Sequence, residues 1–313
     1  MNSPRLPNFL IVGTGKAGTT SLHSYLQQHP QIYMSPVKEP TYFASEIRAD
    51  YLEQALQRHL AKQTRYLARR LNDGLPVKPM GWLTSEWNDY LRLFQHVGDE
   101  VAVGEASPIY LWSPTAAANI HERIPDARIV MVLRDPAERA YSQYLHQLTV
   151  GLTKATFHEH LDECVRDDHH PMGIHHPFLE VGLYYRQVER YLNLFPRDHV
   201  RIYWYEEDWK QPATMLRDLF GFLGVDPSFH PDTSRREHAR RAPRWAGMHY
   251  LLKQSRVWES MAPMVPQSVR GLAFQKGRKM ESQDRRFLVD YYAEDVRRLS
   301  ELLHRDLSAW LQT

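Results

Sequence analysis

The chain has 313 residues, of which 42% are hydrophobic and 24% are charged, a composition typical of a globular protein that can bury a core of its own. Its 39 basic and 37 acidic residues give a net charge of +2, which is too balanced for a protein that binds nucleic acid through bulk charge. The single cysteine, Cys164, excludes an internal disulfide and a cysteine-rich zinc site.

Neither the N-terminal residues nor the rest of the chain contain a segment typical of membrane targeting. Polar residues and prolines over 1–7 lead directly into an apolar strand, without the apolar region of a signal peptide. No run of about 18 apolar residues occurs elsewhere, so we expect no membrane insertion. The single cysteine suits a reducing compartment, and the sequence predicts a cytoplasmic protein.

The first predicted element is a buried strand that leads through a glycine loop into a helix. Residues 9–12 form an apolar run, three glycines follow within 13–18, and apolar residues recur at helical spacing over 19–26. The strand and the helix therefore lie on either side of a tight turn.

Three later segments complete the predicted sheet. Apolar runs over 128–133 and 200–205 predict strands, and 102–105 predicts a shorter one. Pro136 fits the first turn of a helix that continues through Tyr144. Continuous apolar strands that alternate with helices predict an α/β fold, with a P-loop-like central parallel sheet and helices on both faces.

The remaining segments are assigned by composition. Residues 44–100 begin as a charged helical stretch over 51–71, and we interpret the segment as a helical insertion on the substrate side of a single domain spanning 1–313. The stretch 227–245 is rich in Arg, His and Pro, which is typical of a surface loop. An i, i+3, i+4 apolar stripe over 287–303 predicts a helix. The sequence also contains a histidine cluster, which we interpret as a polar loop. A metal site is disfavoured because no HExxH spacing accompanies the cluster. The cluster consists of His169, His170, His175 and His176.

The glycine loop is a candidate anion site, because backbone N–H groups converge there and the helix dipole adds positive potential. The loop contains Lys16, and three hydroxyl residues follow Gly18. In the P-loop of nucleoside triphosphatases, a lysine directly follows the last glycine. Here Thr19 follows Gly18, which disfavours an ATP or GTP enzyme and removes the usual Mg²⁺ position.

The segment Gly15–Leu22 resembles the 5′-phosphosulfate loop of sulfotransferases that use 3′-phosphoadenosine-5′-phosphosulfate (PAPS). The resemblance is greatest to the heparan-sulfate type and its bacterial relatives. Four further motifs follow in the order of that family, so the resemblance spans nearly the whole chain except 44–100 and 227–270. They are Lys38–Phe43, Gly104–Tyr110, Leu133–Ser142 and Lys276–Arg278.

This resemblance implies two anion pockets for PAPS and no required metal. The glycine loop would bind the 5′-phosphosulfate, Arg134 and Ser142 the 3′-phosphate, and a late basic loop would close over the nucleotide. The implied binding residues are Gly15, Lys16, Ala17, Gly18, Thr19, Thr20, Ser21, Arg134, Ser142, Lys276, Gly277 and Arg278.

The resemblance also suggests the catalytic residues. Lys16 would stabilise charge on the leaving oxygen of an in-line displacement, and Glu39 would take the acceptor proton. Because Pro40 follows Glu39, we expect an extended backbone there. His146 either orients the sulfonate and assists proton transfer, or is a packing histidine. Glu105 either positions the substrate or holds a loop.

Three alternatives to a sulfotransferase remain open from the sequence. A P-loop kinase of small molecules would use Asp135 as a magnesium ligand, and a catalytically inactive relative would bind the nucleotide alone. Carbohydrate binding without chemistry is suggested by Trp82, Trp87 and Trp112. The sulfuryl acceptor is left open as a hydroxyl or amine of a small molecule, lipid or carbohydrate, and so is the oligomeric state.

Overall fold

The computed structural model describes residues 5–46, 69, 86–166, 178–234, 241–254, 274–277 and 279–313. Its strands are β1 (Phe9–Gly13), β2 (Ile32–Met34), β3 (Ala102–Ala106), β4 (Arg128–Leu133), β5 (Val200–Trp204), β6 (Arg241–Pro243) and β7 (Phe274–Lys276). Its α-helices are α1 (Thr19–Leu26), α2 (Trp87–Arg92), α3 (Ile109–Trp112), α4 (Ala116–Arg123), α5 (Pro136–Val150), α6 (Phe157–Arg166), α7 (Tyr184–Leu194), α8 (Tyr205–Asp208), α9 (Pro212–Leu223), α10 (Ala246–Gln254) and α11 (Ser282–Leu303).

The first five strands form one parallel sheet in the order β2-β3-β1-β4-β5. The chain builds the β2–β3 side of β1 first and then the β4–β5 side. In open α/β sheets such a reversal of strand order leaves a crevice outside the carboxyl end of the central strand. The glycine loop follows β1 and therefore lies at this crevice.

Alternating residues of the central strands pack on opposite faces of the sheet. Leu10 and Val12 of β1 join a core with α5, α7 and α11, whereas Phe9 and Ile11 join a second core with α1 and α9. Both faces are thus covered, which explains why the strands are continuous apolar runs. The predicted P-loop-like α/β architecture is confirmed.

Several elements differ from their predicted bounds. Helix α5 extends to Val150 and ends at Gly151, whose φ of 78° is left-handed. The predicted surface loop over 227–245 contains β6, which pairs antiparallel with β7 and packs against α5. In the described part of the predicted insertion, Tyr90 of α2 is fully buried in the core beside β3. The predicted helix over 51–71 falls outside the described residues except Arg69.

Among the described segments, no helix is both long enough and apolar enough to cross a membrane.

Candidate active site

The glycine loop is held against the carboxyl end of the sheet by an indole ring. Helix α1 begins after Gly18, whose φ of 84° is left-handed. A Cβ atom at Gly18 would lie 2.6 Å from Cζ2 of Trp209, so only glycine fits there. The Trp209 indole N–H also donates to the Ala17 carbonyl at 3.2 Å. Trp209 was not predicted from the sequence; its position just after β5, at the same end of the sheet, was the available signal.

The loop directs backbone amides toward open space. The first intrahelical bond of α1 joins the Leu22 N–H to the Gly18 carbonyl at 3.0 Å. The amides of the preceding turn therefore point out of the helix N-terminus, where the dipole favours an anion. At Gly15, a Cβ atom would meet nothing within 4 Å, so a phosphate could approach the loop backbone there.

Lys16 lies among other cations. The pKa of Lys16 is lowered to about 8, chiefly because burial removes its charge from water. The carboxylate of Glu39 opposes this lowering of the pKa, and the positive charges of Lys38, Arg134 and Arg139 add to it. Lys16, Lys38, Arg134 and Arg139 outnumber the nearby carboxylates of Glu39, Glu138 and Glu206, so an excess of positive charge remains, which suits a polyanionic ligand.

Arg134 braces the glycine loop from the end of β4. Its Nη1 donates to the Lys16 carbonyl at 2.6 Å, and its guanidinium carbon lies 4.5 Å from the centre of the Tyr205 ring. Nη2 lies 3.7 Å from the Glu138 carboxylate. Arg134 is only 4% exposed, so it helps to fix the loop and also supplies positive charge beside it.

Asp135 is engaged in structural contacts. Its Oδ1 accepts hydrogen bonds from the Ala137 and Glu138 amides at 2.9 and 3.1 Å, which caps α5. Its other oxygen lies 2.7 Å from Nη2 of Arg285 in α11. A capping carboxylate in a buried ion pair gives the kinase alternative no support. Within the described segments, no group of three or more His, Cys, Asp or Glu residues is placed to hold a metal ion. The histidine cluster at 169–176 lies outside them.

Glu39 lies near Lys16, but its backbone differs from the prediction. Its φ is 63°, so the expected extended backbone before Pro40 is wrong. The Glu39 N–H donates to the Ala106 carbonyl at the end of β3, at 2.9 Å, and this bond helps hold the unusual conformation. Its carboxylate contacts Nζ of Lys38, and the two side chains are 41% and 11% exposed. Glu39 can therefore reach a ligand from solvent.

Glu105 is a fully buried carboxyl group behind this loop. Its Oε2 accepts from the Ser107 hydroxyl at 2.8 Å, and its Oε1 accepts from the Tyr90 hydroxyl at 3.4 Å. Burial raises the pKa of Glu105 to about 7, although hydrogen bonds from Ser107, Tyr110 and Tyr90 limit the rise.

The other predicted residues lie on α5 and on the β6–β7 ribbon. Ser142 is half-buried two turns into α5, and His146 is exposed one turn further along. Lys276 ends β7, and Gly277 follows it. The packing of β6 on α5 brings this ribbon beside the helix that carries Ser142 and His146. Arg278 lies outside the described residues.

The fold and the site define an α/β protein with an anion-binding glycine loop at the centre of a parallel sheet. A family model described as "Sulfotransferase family" matches residues 7–231. The chain belongs to the sulfotransferase family, as predicted from its motifs. The crystal structure of a sulfotransferase from Alicyclobacillus acidocaldarius is similar, with a TM-score of 0.70 and 32% identity, covering 98% of this chain and 100% of that one.

Two curated relatives are longer proteins. The human bifunctional heparan sulfate N-deacetylase/N-sulfotransferase 3 is 26% identical over 98% of this chain and 31% of its own length. The mouse carbohydrate sulfotransferase 15 is 25% identical over 80% of this chain and 51% of its own length. The chain therefore spans a third to a half of these relatives.

Proposed function

We propose that the protein transfers a sulfuryl group from PAPS to a hydroxyl or amine of a carbohydrate. The observation that carries this proposal is the placement of Lys16 in the glycine loop, amid an excess of positive charge and near the exposed carboxylate of Glu39. One end of the site is thus suited to a polyanion, and the other offers a base to an acceptor.

The loop residues fit the anionic groups of PAPS. Gly15, Lys16, Ala17 and Gly18, with Thr19, Thr20 and Ser21, would bind the 5′-phosphosulfate. Arg134 and Ser142 would bind the 3′-phosphate, and Lys276, Gly277 and Arg278 would close over the nucleotide. The open space at Gly15 and the surplus cations around Lys16 support this assignment.

Lys16 and Glu39 would divide the chemistry between them. As the acceptor oxygen or nitrogen bonds to sulfur, the bond between sulfur and the bridging oxygen breaks and its electron pair stays on the 5′-phosphate of the product. Lys16 stabilises this developing charge, and Glu39 takes the acceptor proton. The exposed His146 would orient the sulfonate or assist that proton transfer. These steps require no metal ion.

A carbohydrate acceptor is supported by the names of the relatives. The aromatic side chains near the loop pack on one another: Tyr42 and Trp87 both stack on or beside the buried Tyr90, and the Arg123 guanidinium lies 5.1 Å from the centre of the Trp87 ring. These rings therefore belong to the core and do not bear on the acceptor. Trp82 lies outside the described residues.

The test is a transfer assay with labelled PAPS and a panel of acceptors. The panel would contain oligosaccharides with unsubstituted amines, neutral oligosaccharides, lipids and small phenols. We expect label on an oligosaccharide, and calorimetric binding of the product nucleotide, 3′-phosphoadenosine-5′-phosphate (PAP), without a metal. Product-nucleotide binding with no transfer to any acceptor would favour an inactive relative. Turnover of ATP with Mg²⁺ would favour the kinase.

A further inference from the structure

The loop that carries Glu39 is fastened by side chains that follow β3. Beyond the bond from Glu39 to the end of that strand, the Thr41 N–H donates to Oγ of Ser107 at 3.2 Å. The Phe43 N–H donates to the hydroxyl oxygen of Tyr110 at 3.4 Å. The amides of alternate loop residues are thus bound by acceptors within 106–110, two of which are side-chain hydroxyls.

This loop adopts backbone conformations that need external support. Glu39 and Thr41 have φ angles of 63° and 55°, in the left-handed region. For a residue other than glycine this conformation is unfavourable, and it persists only where surrounding contacts determine it. The hydroxyls of Ser107 and Tyr110 supply two of these contacts, so their orientation affects where Glu39 lies.

Glu105 sets the orientation of the Ser107 hydroxyl. Its Oε2 accepts a hydrogen bond from that hydroxyl at 2.8 Å. Above pH 7 Glu105 is mostly ionised and only accepts hydrogen bonds, and the Ser107 hydroxyl has a single proton. With that proton directed to Glu105, a lone pair of the Ser107 oxygen faces the Thr41 amide.

We propose that Glu105 is a positioning residue that acts through Ser107 to hold Glu39 at the acceptor. This inference rests on the proposed function, in which Glu39 is the base. Glu105 is fully buried behind the loop, so it would touch neither substrate. Its effect on the reaction would reach the acceptor only through the position of Glu39.

E105Q tests this role because an amide keeps the shape but introduces an N–H₂ donor. This N–H₂ group would face the Ser107 hydroxyl, which donates to Glu105 in the parent. The Ser107 proton would then turn toward the Thr41 amide. At about pH 8.5, where Glu105 of the parent is ionised, we expect kcat of E105Q to fall about tenfold or more, since a small misplacement of a reacting group is costly. The affinity for PAP should stay within about twofold of the parent. Combining E105Q with E39Q should lower kcat no further than E39Q alone, because the two residues act in series.

Hydrogen exchange gives a readout that does not depend on catalysis. E105Q and, separately, S107A should speed exchange of the Thr41 amide relative to the parent. S107A keeps the test valid if E105Q does not fold. Y191F is the matched control, because the buried Tyr191 hydroxyl donates to the Tyr110 carbonyl at 2.9 Å. It should lower stability without changing kcat or exchange in the loop.

The outcomes separate this inference from the proposed function. Parental exchange at Thr41 in both variants, or losses of kcat that multiply in the double variant, would overturn the role of Glu105. Parental kcat in E39Q would overturn the role of Glu39 as base and, with it, the claim that Glu105 serves catalysis. If E105Q speeds exchange of the Thr41 amide but keeps the parental kcat, Glu105 has a structural role only, and the inference is overturned.

Discussion

At the residue scale, the charge of Lys16 is the feature on which anion binding depends. Burial and neighbouring cations lower the pKa of Lys16 to about 8, so at pH 7 it is about nine-tenths protonated. Above pH 8 the unliganded protein holds mostly neutral Lys16. A polyanion in the loop stabilises the protonated form, and the neutral form binds it less well.

We therefore predict that PAP affinity falls as pH rises through about 8 in the parent. The phosphates of PAP are already ionised above about pH 7, so they do not mask the effect. K16R should keep its affinity to higher pH, because a guanidinium stays charged. Calorimetry at several pH values between about 6.5 and 9.5 makes the comparison. Equal affinity of the parent at both ends of that range would show that Lys16 does not contact the nucleotide.

Glu105 should lower stability at neutral pH. Burial raises its pKa to about 7, so the folded protein holds a proton that the unfolded chain, with an ordinary pKa of 4.5, releases. The folded state is therefore most favoured below pH 4.5, and stability is lost as pH rises through 7. The total change is about 3 kcal/mol.

E105Q removes this dependence. Between about pH 5 and pH 8, the free energy of unfolding of the parent should fall relative to that of E105Q by about 2–3 kcal/mol. Urea unfolding of both proteins at the two pH values measures the difference. A constant difference between the two proteins would mean that Glu105 is ionised throughout the range.

At the scale of elements, the start of α1 depends on a glycine packed against an indole. Gly18 has a left-handed φ of 84° and no room for a Cβ beside Trp209. Gly224, at the end of α9, has a similar φ of 75°, but a Cβ there would meet nothing within 4 Å. The two glycines share the backbone requirement, and only Gly18 has the indole contact.

G18A and G224A therefore form a matched pair. Each should lose about 1–2 kcal/mol of stability from the left-handed backbone. G18A should lose more, because Trp209 must move, and should also lose PAP affinity, because the amides of the loop shift. G224A should bind PAP like the parent. Thermal unfolding and calorimetry of both variants provide the check, and equal PAP affinity in the two would mean that the indole does not shape the anion site.

At the scale of the whole molecule, the fold follows closely from sequence patterns. Apolar runs located β1, β4 and β5, and the alternation of strands with helices indicated the parallel sheet. The glycine loop was recognisable because its spacing places backbone amides at a helix N-terminus. These features are local, so the sequence alone reveals them.

Features that depend on tertiary contacts were not predicted. Trp209 follows β5 at the edge of the sheet and reaches the loop across a separation of 192 residues from Ala17. The left-handed backbone of Glu39 is held by groups that follow β3, which outweigh the preference of a residue before proline. The engagement of Asp135 with Arg285 joins α5 to α11, and no local pattern indicates that ion pair.

The central claim is that Lys16 stabilises the leaving oxygen of PAPS, and the rate of sulfuryl transfer by K16A tests it most directly. We predict that kcat on the identified acceptor falls about 10²–10³-fold, the loss typical of one well-placed charge donor. K210A, which removes an exposed lysine just after Trp209, should keep the parental rate. A K16A protein that folds like the parent and transfers the sulfuryl group at the parental rate would contradict the account.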